Sequence, residues 1–131
     1  VLADLASQES AQESRERATQ LLSRFVGAEI TRYYWGGFTG YLDVLGLESP
    51  EDMRVSMREE PEAVQLMLTP LEGQERYVAR VEAEDTVPRG LACKGRGEPV
   101  RFHWRGDVLH CPLGWQELVL LGPQTHAEHN P

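Results

Sequence analysis

The chain has 131 residues, enough for one domain, and its 40% apolar content is that of a globular protein rather than a disordered one. Thirteen basic against 21 acidic residues leave a net charge of −8. That argues against a general nucleic-acid binder and against docking on anionic membrane surfaces, because both call for a basic face. No apolar run approaches the ~20 residues of a membrane span, and the first residues lack the pattern of a signal peptide. The chain opens Val1-Leu2-Ala3 without methionine, which leads us to expect that a segment upstream was removed.

The first third reads as one long helix over residues 5–35. From Leu5 to Tyr34 there is no proline, and Gly27 is the lone glycine. At 100° per residue, Ala11, Ala18, Leu21, Leu22, Phe25, Val26 and Tyr33 fall within one broad arc, the face expected to cover a core. Glu29 falls inside the same arc and therefore needs a partner or an edge position. Gly36-Gly37 supplies the stop, since glycine takes the left-handed conformation that closes helices. The two halves of the helix differ. Residues 18–34 carry Leu, Phe, Val, Ile and Tyr, whereas residues 3–17 carry Ala, Ser, Gln, Glu and Arg, so burial cannot hold the first half against its own domain. It either frays or projects and packs on something else, and small residues such as Ala6, Ser7, Ser10 and Ser14 would allow close helix approach.

Residues 36–50 read as a glycine-rich aromatic connector, in which Ser49-Pro50-Glu51-Asp52 has the form of a helical start. Over residues 53–122 the period is two. Met53, Val55 and Met57 alternate with polar residues, as do Val64, Leu66 and Leu68, then Tyr77, Ala79 and Val81. The stretch from Pro70 to Arg76 is the expected hairpin connection. Val100, Phe102 and Trp104 form the clearest strand pattern, and Gln116 to Leu121 closes the set. A helix followed by short antiparallel strands is α+β architecture. Residues 123–131 are polar and are expected to be a loose tail.

Catalytic signatures are missing from the pattern. There is no Gly-x-Ser-x-Gly elbow, phosphate-cradling loop or dinucleotide fingerprint. Gly95-Arg96-Gly97 reads as a turn, and the adjacent pairs Glu51-Asp52 and Glu84-Asp85 read as solvated loops rather than a carboxylate dyad in a cleft. Cys93 and Cys111 are the two cysteines. They are either a disulfide stapling the C-terminal region or two reduced buried thiols, and nothing marks either as a nucleophile paired with histidine. With His103 and His110 they could sketch a metal site, but the close Cys-x-x-Cys spacing is missing. His126 and His129 are a tail pair of no greater weight. We therefore expect no enzyme, cofactor or metal. Tyr33, Tyr34, Trp35, Phe38 and Tyr41 cluster at the helix exit, where we expect them to anchor helix to connector as core, with a binding platform as the competing reading.

The stretch Ala28 to Leu47, with Tyr33-Tyr34, Gly37-Phe38 and Leu45-Gly46-Leu47, resembles type IV pilins of the cyanobacterial type, in which a helix ends in paired aromatics before such a connector. Upstream, Leu5 to Ala18 looks like the polar continuation of the pilin helix. Downstream, Tyr77 to Val81 and Gly90 to Cys93 are similar to a strand and first cysteine of those proteins. The resemblance implies a Cys93–Cys111 disulfide, a long helix on an antiparallel sheet with the polar half-helix as the inner wall of the head, and an apolar membrane segment ahead of Val1. It implies helix–head packing and assembly through Ala18, Leu22, Phe25, Val26, Tyr33, Tyr34 and Phe38. The expected role is a major or minor pilin of a type IV pilus or related filament, serving motility or natural competence. Its partners would be other pilin subunits and the inner-membrane assembly machinery, with the protein in the inner membrane before assembly and at the cell surface after it. A secretion-system pseudopilin and a periplasmic or surface binding module are the alternatives. Direct nucleic-acid binding is not expected, although Arg96, Arg101 and Arg105 could form a local basic patch.

Overall fold

The computed structural model describes residues 2–99 and 101–120. The expected tail, residues 123–131, lies outside the described residues. Among the described residues a single helix, α1 (Leu2–Trp35), is followed by a short 3-10 turn (Asp43–Leu45) and seven strands. These are β1 (Met53–Glu60), β2 (Ala63–Pro70), β3 (Glu75–Glu84), β4 (Val87–Arg96), β5 (His103–Arg105), β6 (Val108–His110) and β7 (Gln116–Leu118). Strands β1-β2-β3-β4-β7 form one antiparallel sheet in that order, and β5-β6 form a separate hairpin. The architecture is α+β and compatible with a pilin-like fold.

The period-two pattern sets which face each side chain takes. In register, Val55 pairs with Leu68, Leu66 with Ala79, Val64 with Val81, and Ala79 with Ala92. That row faces α1, where it meets Ala18, Leu22, Phe25 and Val26, all buried. The opposite row, Val78, Leu91 and Cys93, is covered by Phe102 and Leu109 from the region of the β5-β6 hairpin. The sheet is therefore the middle of three layers. Gly90 makes the close approach of α1 possible: a Cβ there would sit 2.7 Å from Val26 Cγ1. On the far side, Gly95 accommodates the Trp115 ring in the same way.

The helix outruns the sheet. At about 1.5 Å per residue its 34 residues span about 50 Å, more than the width of the sheet beneath it. Among the described residues, its N-terminal-most ties to the sheet and the chain entering it are at residues 14–17. Arg15 binds Glu75 through Nε at 2.9 Å, and Arg17 pairs with Asp52, which also accepts from Ser14. N-terminal to these, residues 8–13 are exposed, as is Leu5. Ala11, placed in the apolar arc from sequence, is among them because the sheet no longer lies beneath it. The part of α1 packed on the sheet is consequently residues 18–30, not the polar half-helix expected to form that wall. Among the described residues no helix is long and apolar enough to cross a membrane.

Several local expectations change. The helical turn falls at Asp43–Leu45 rather than at Ser49–Asp52, because Leu42 is the residue that buries its side chain and the turn forms around its carbonyl. Gly95 and Arg96 continue β4 instead of turning, since they pair with Arg76 and Glu75. Of the strand expected over 100–105, His103–Arg105 form a ladder with β6, Arg101 and Phe102 do not, and Val100 lies outside the described residues. Strand β4 itself was not anticipated, because Pro88 and Gly90 interrupt its pattern and the β3-β4 turn is Asp85-Thr86. Both turn residues have positive φ, 52° and 64°, the two-residue geometry usually signalled by Asn-Gly.

Cys93 and Cys111 form a disulfide across 18 positions. It fastens the middle of β4 to the segment leaving β6, so the small hairpin is covalently held on the sheet. A cross-link closing a loop of this size contributes ~3 kcal/mol in the chain-entropy picture. Reduction, or the Cys93→Ala/Cys111→Ala double variant, is expected to lower the unfolding free energy by about that amount. Urea denaturation with and without reductant measures it.

Candidate functional site

The residues named in advance for packing and assembly separate into two groups. Ala18, Leu22, Phe25 and Val26 come together in the core beneath α1. Tyr33 and Phe38 meet at the helix exit, with ring centroids 4.9 Å apart, where the connector folds back on the helix. Tyr34 does not join them: it is 66% exposed and meets the Tyr33 ring in a T-shaped contact, with centroids 5.8 Å apart. Trp35 and Tyr41, also expected in the core, are 86% and 67% exposed. Neighbours on a helix diverge by 100°, so three consecutive aromatics cannot share the one face that meets the sheet.

That exposure defines a surface. Beside α1 runs an open, largely apolar groove of about 1490 Å³. One wall is the helix flank, Arg24, Gly27, Ala28, Thr31 and Trp35. The other is the connector, with Val44, Leu45 and Leu47, and the chain after β7, with Leu118, Val119 and Leu120. Val44 and Val119 present their side chains to solvent. Contiguous exposed apolar area of this kind marks an interaction surface more often than an inert one. Gly27 opens onto the groove, where a Cβ would meet nothing within 4 Å. Because Gly27 lies in regular helix with open space beside it, Gly27→Ala is expected to raise stability by about 0.5–1 kcal/mol, read from the urea midpoint.

On the other face of the sheet a polar cluster fixes the hairpin layer. Arg80 binds Glu60 at 3.1 Å and Gln65 at 3.0 Å and pairs with Glu82, which in turn accepts the Trp104 indole N–H at 2.9 Å. Hydrogen bonding from Arg80 holds the Glu60 carboxyl below the usual carboxylate range. The Glu60 carboxylate is thereby kept ionised and paired, which suits a tether rather than proton transfer. His103 and His110 stack across the β5-β6 ladder with centroids 5.5 Å apart. Their former candidate co-ligands, Cys93 and Cys111, are consumed by the disulfide. Among the described residues no group of three or more His, Cys, Asp and Glu side chains could hold a metal ion.

Glu29 is the residue whose chemistry the sequence flagged without resolving. It is fully buried, with Oε1 accepting the Thr39 amide at 3.0 Å and Oε2 without a hydrogen-bond partner. Burial pushes its pKa up to about 7, against the opposing pull of the Thr39 amide and of Arg32; Glu59 adds to the rise. The folded state thus holds a proton more tightly than the unfolded chain, where glutamate titrates near 4.5. Stability from this group is complete below the unfolded value and is lost as pH rises through about 7. The loss amounts to as much as about 3 kcal/mol. Unfolding free energies of the wild type and Glu29→Gln are expected to diverge across this window, with the variant nearly flat.

No protein-family model matches this chain, and no curated protein or solved structure matches it either.

Proposed function

We propose that this chain is the head region of a pilin-like subunit that acts by self-assembly in a type IV pilus or related filament. The observation that carries the reading is the contrast along α1: residues 18–26 seal the core of the head, while residues 8–13 stand clear of it. A helix with that division offers its first turns to neighbours, and its small side chains there allow close approach. The antiparallel sheet and the Cys93–Cys111 staple supply a rigid head for such a helix to carry. In this reading an apolar segment precedes Val1 and anchors the subunit in the inner membrane, from which the assembly machinery adds it to the filament.

Heads arranged around a bundle of helices contact one another head to tail, and unlike surfaces meeting under a rotation that does not close give a filament rather than a ring. The groove beside α1 offers one such surface. The net charge of −8 keeps the outer surface solvated and gives no support to nucleic-acid capture. Whether the subunit is a major pilin, a minor pilin or a secretion pseudopilin follows from its partners rather than from the head.

A second reading rests on the exposed Tyr34, Trp35 and Tyr41, which could serve a surface binding module instead. The coding sequence upstream of Val1 separates the two: a basic leader, a prepilin cleavage site and an apolar stretch support the filament subunit, and an ordinary signal peptide or a cytosolic start refutes it. Deletion of the gene is expected to abolish surface filaments or a filament-dependent behaviour, scored by electron microscopy and by motility or uptake assays. Complementation with Gly27→Arg, which points a long charged side chain into open groove, is expected to leave the head folded and reduce filament number. Unchanged filaments in the deletion strain refute the reading.

A further inference from the structure

Glu29 sits where helix, connector and sheet edge meet. Its carboxyl is sealed from solvent; one oxygen takes the Thr39 amide and the other has no partner. The Thr39 hydroxyl accepts the Tyr41 amide at 3.3 Å. One residue further on, the Gly40 amide donates to Glu59 Oε1 on β1 at 2.8 Å. Residues 37–41 are thus a strap held at two consecutive amides by two glutamates, one sealed and one exposed. Its near end is built to bend: Gly36 and Gly37 have open space where a side chain would stand, and Gly37 has a φ of +116°. Its far end is fixed by Leu42, which is buried in the core.

We propose that Glu29 is a proton-operated latch: protonated, it keeps the 37–41 strap closed on α1, and ionised, it lets the strap lift so that water reaches the carboxylate. The charges acting on it from the surrounding elements are Arg32 on its own helix, which favours ionisation, and Glu59 on β1, which opposes it; the strap contributes the Thr39 amide. That amide bonds more strongly to a carboxylate than to an acid, but one hydrogen bond does not replace the hydration of a buried charge. Opening the strap restores that hydration at the expense of exposing Thr39 and the half-buried Phe38, while Tyr41 is already exposed. The latch therefore couples proton concentration to the freedom of the 37–41 strap alone, with buried Leu42 as its fixed end. This inference stands on the strap geometry and does not depend on the filament reading.

Amide hydrogen exchange of the whole chain, corrected for the intrinsic pH dependence of exchange, tests it. Between pH 5 and pH 8.5, protection across 38–41 is expected to fall on the order of 100-fold in the wild type, while β2 and β3 stay protected. In Glu29→Gln the fall should be absent. Protection that does not change with pH, or that changes equally in both proteins, overturns the latch. If Glu29→Gln does not fold, carboxyl 13C titration of the wild type decides instead. A Glu29 midpoint near 7 that coincides with strap opening supports the proposal, and a midpoint below 5.5 overturns it.

Discussion

The seam between α1 and the β2-β3-β4 face is what the rest of this structure depends on. Leu22, Phe25 and Val26 lie on Val64, Leu66, Ala79, Val81 and Ala92, and the contact closes because Gly90 presents no side chain where Val26 arrives. A larger residue there would lift the helix by more than the packing tolerates, since protein interiors have almost no slack. The position of α1 then fixes everything downstream of it. It sets where the connector turns back, where Glu29 is sealed, and which helix flank remains open as a groove. It also leaves the first turns of the helix without a sheet beneath them.

Much of this was legible in the residues. The helix and its glycine stop, three of the sheet strands and the α+β class follow from hydrophobic periods of 3.6 and 2, because each element is half-buried and the pattern reports the buried side. What was not legible has specific causes. Strand β4 is one of the two longest, yet Pro88 and Gly90 break its alternation, and the Gly90 position is explained only by the close approach of α1 in the folded chain. Its turn uses Asp85-Thr86 at positive φ, a geometry that carries no Asn-Gly signature. The aromatics at the helix exit mislead in the opposite direction: composition suggests a core, but consecutive positions point different ways and Trp35 ends in solvent. Burial of an aromatic depends on what lies opposite it.

Glu29 shows how a conflict between levels marks a point of interest. A carboxylate in an apolar arc contradicts the pattern around it, and the structure resolves the conflict only in part, with one amide and one unpartnered oxygen. Across the sheet, Arg80 meets the same difficulty and is fully accommodated, because two glutamates, a glutamine and the layer of Trp104 surround it. The two sites differ in consequence. One is a closed network that rigidifies a layer, and the other is an incomplete one that holds a bendable segment.

The disulfide has a mechanical meaning as well. A chain pulled from its two ends pays out length as its contacts break, but the stretch from Cys93 to Cys111 is bypassed by the covalent link. About 60 Å of extension is thereby withheld, at roughly 3.5 Å per residue. The load crosses directly from the middle of β4 to the segment beyond β6, leaving the small hairpin slack. That confines yielding under tension to the elements before Cys93 and to the short β7 edge.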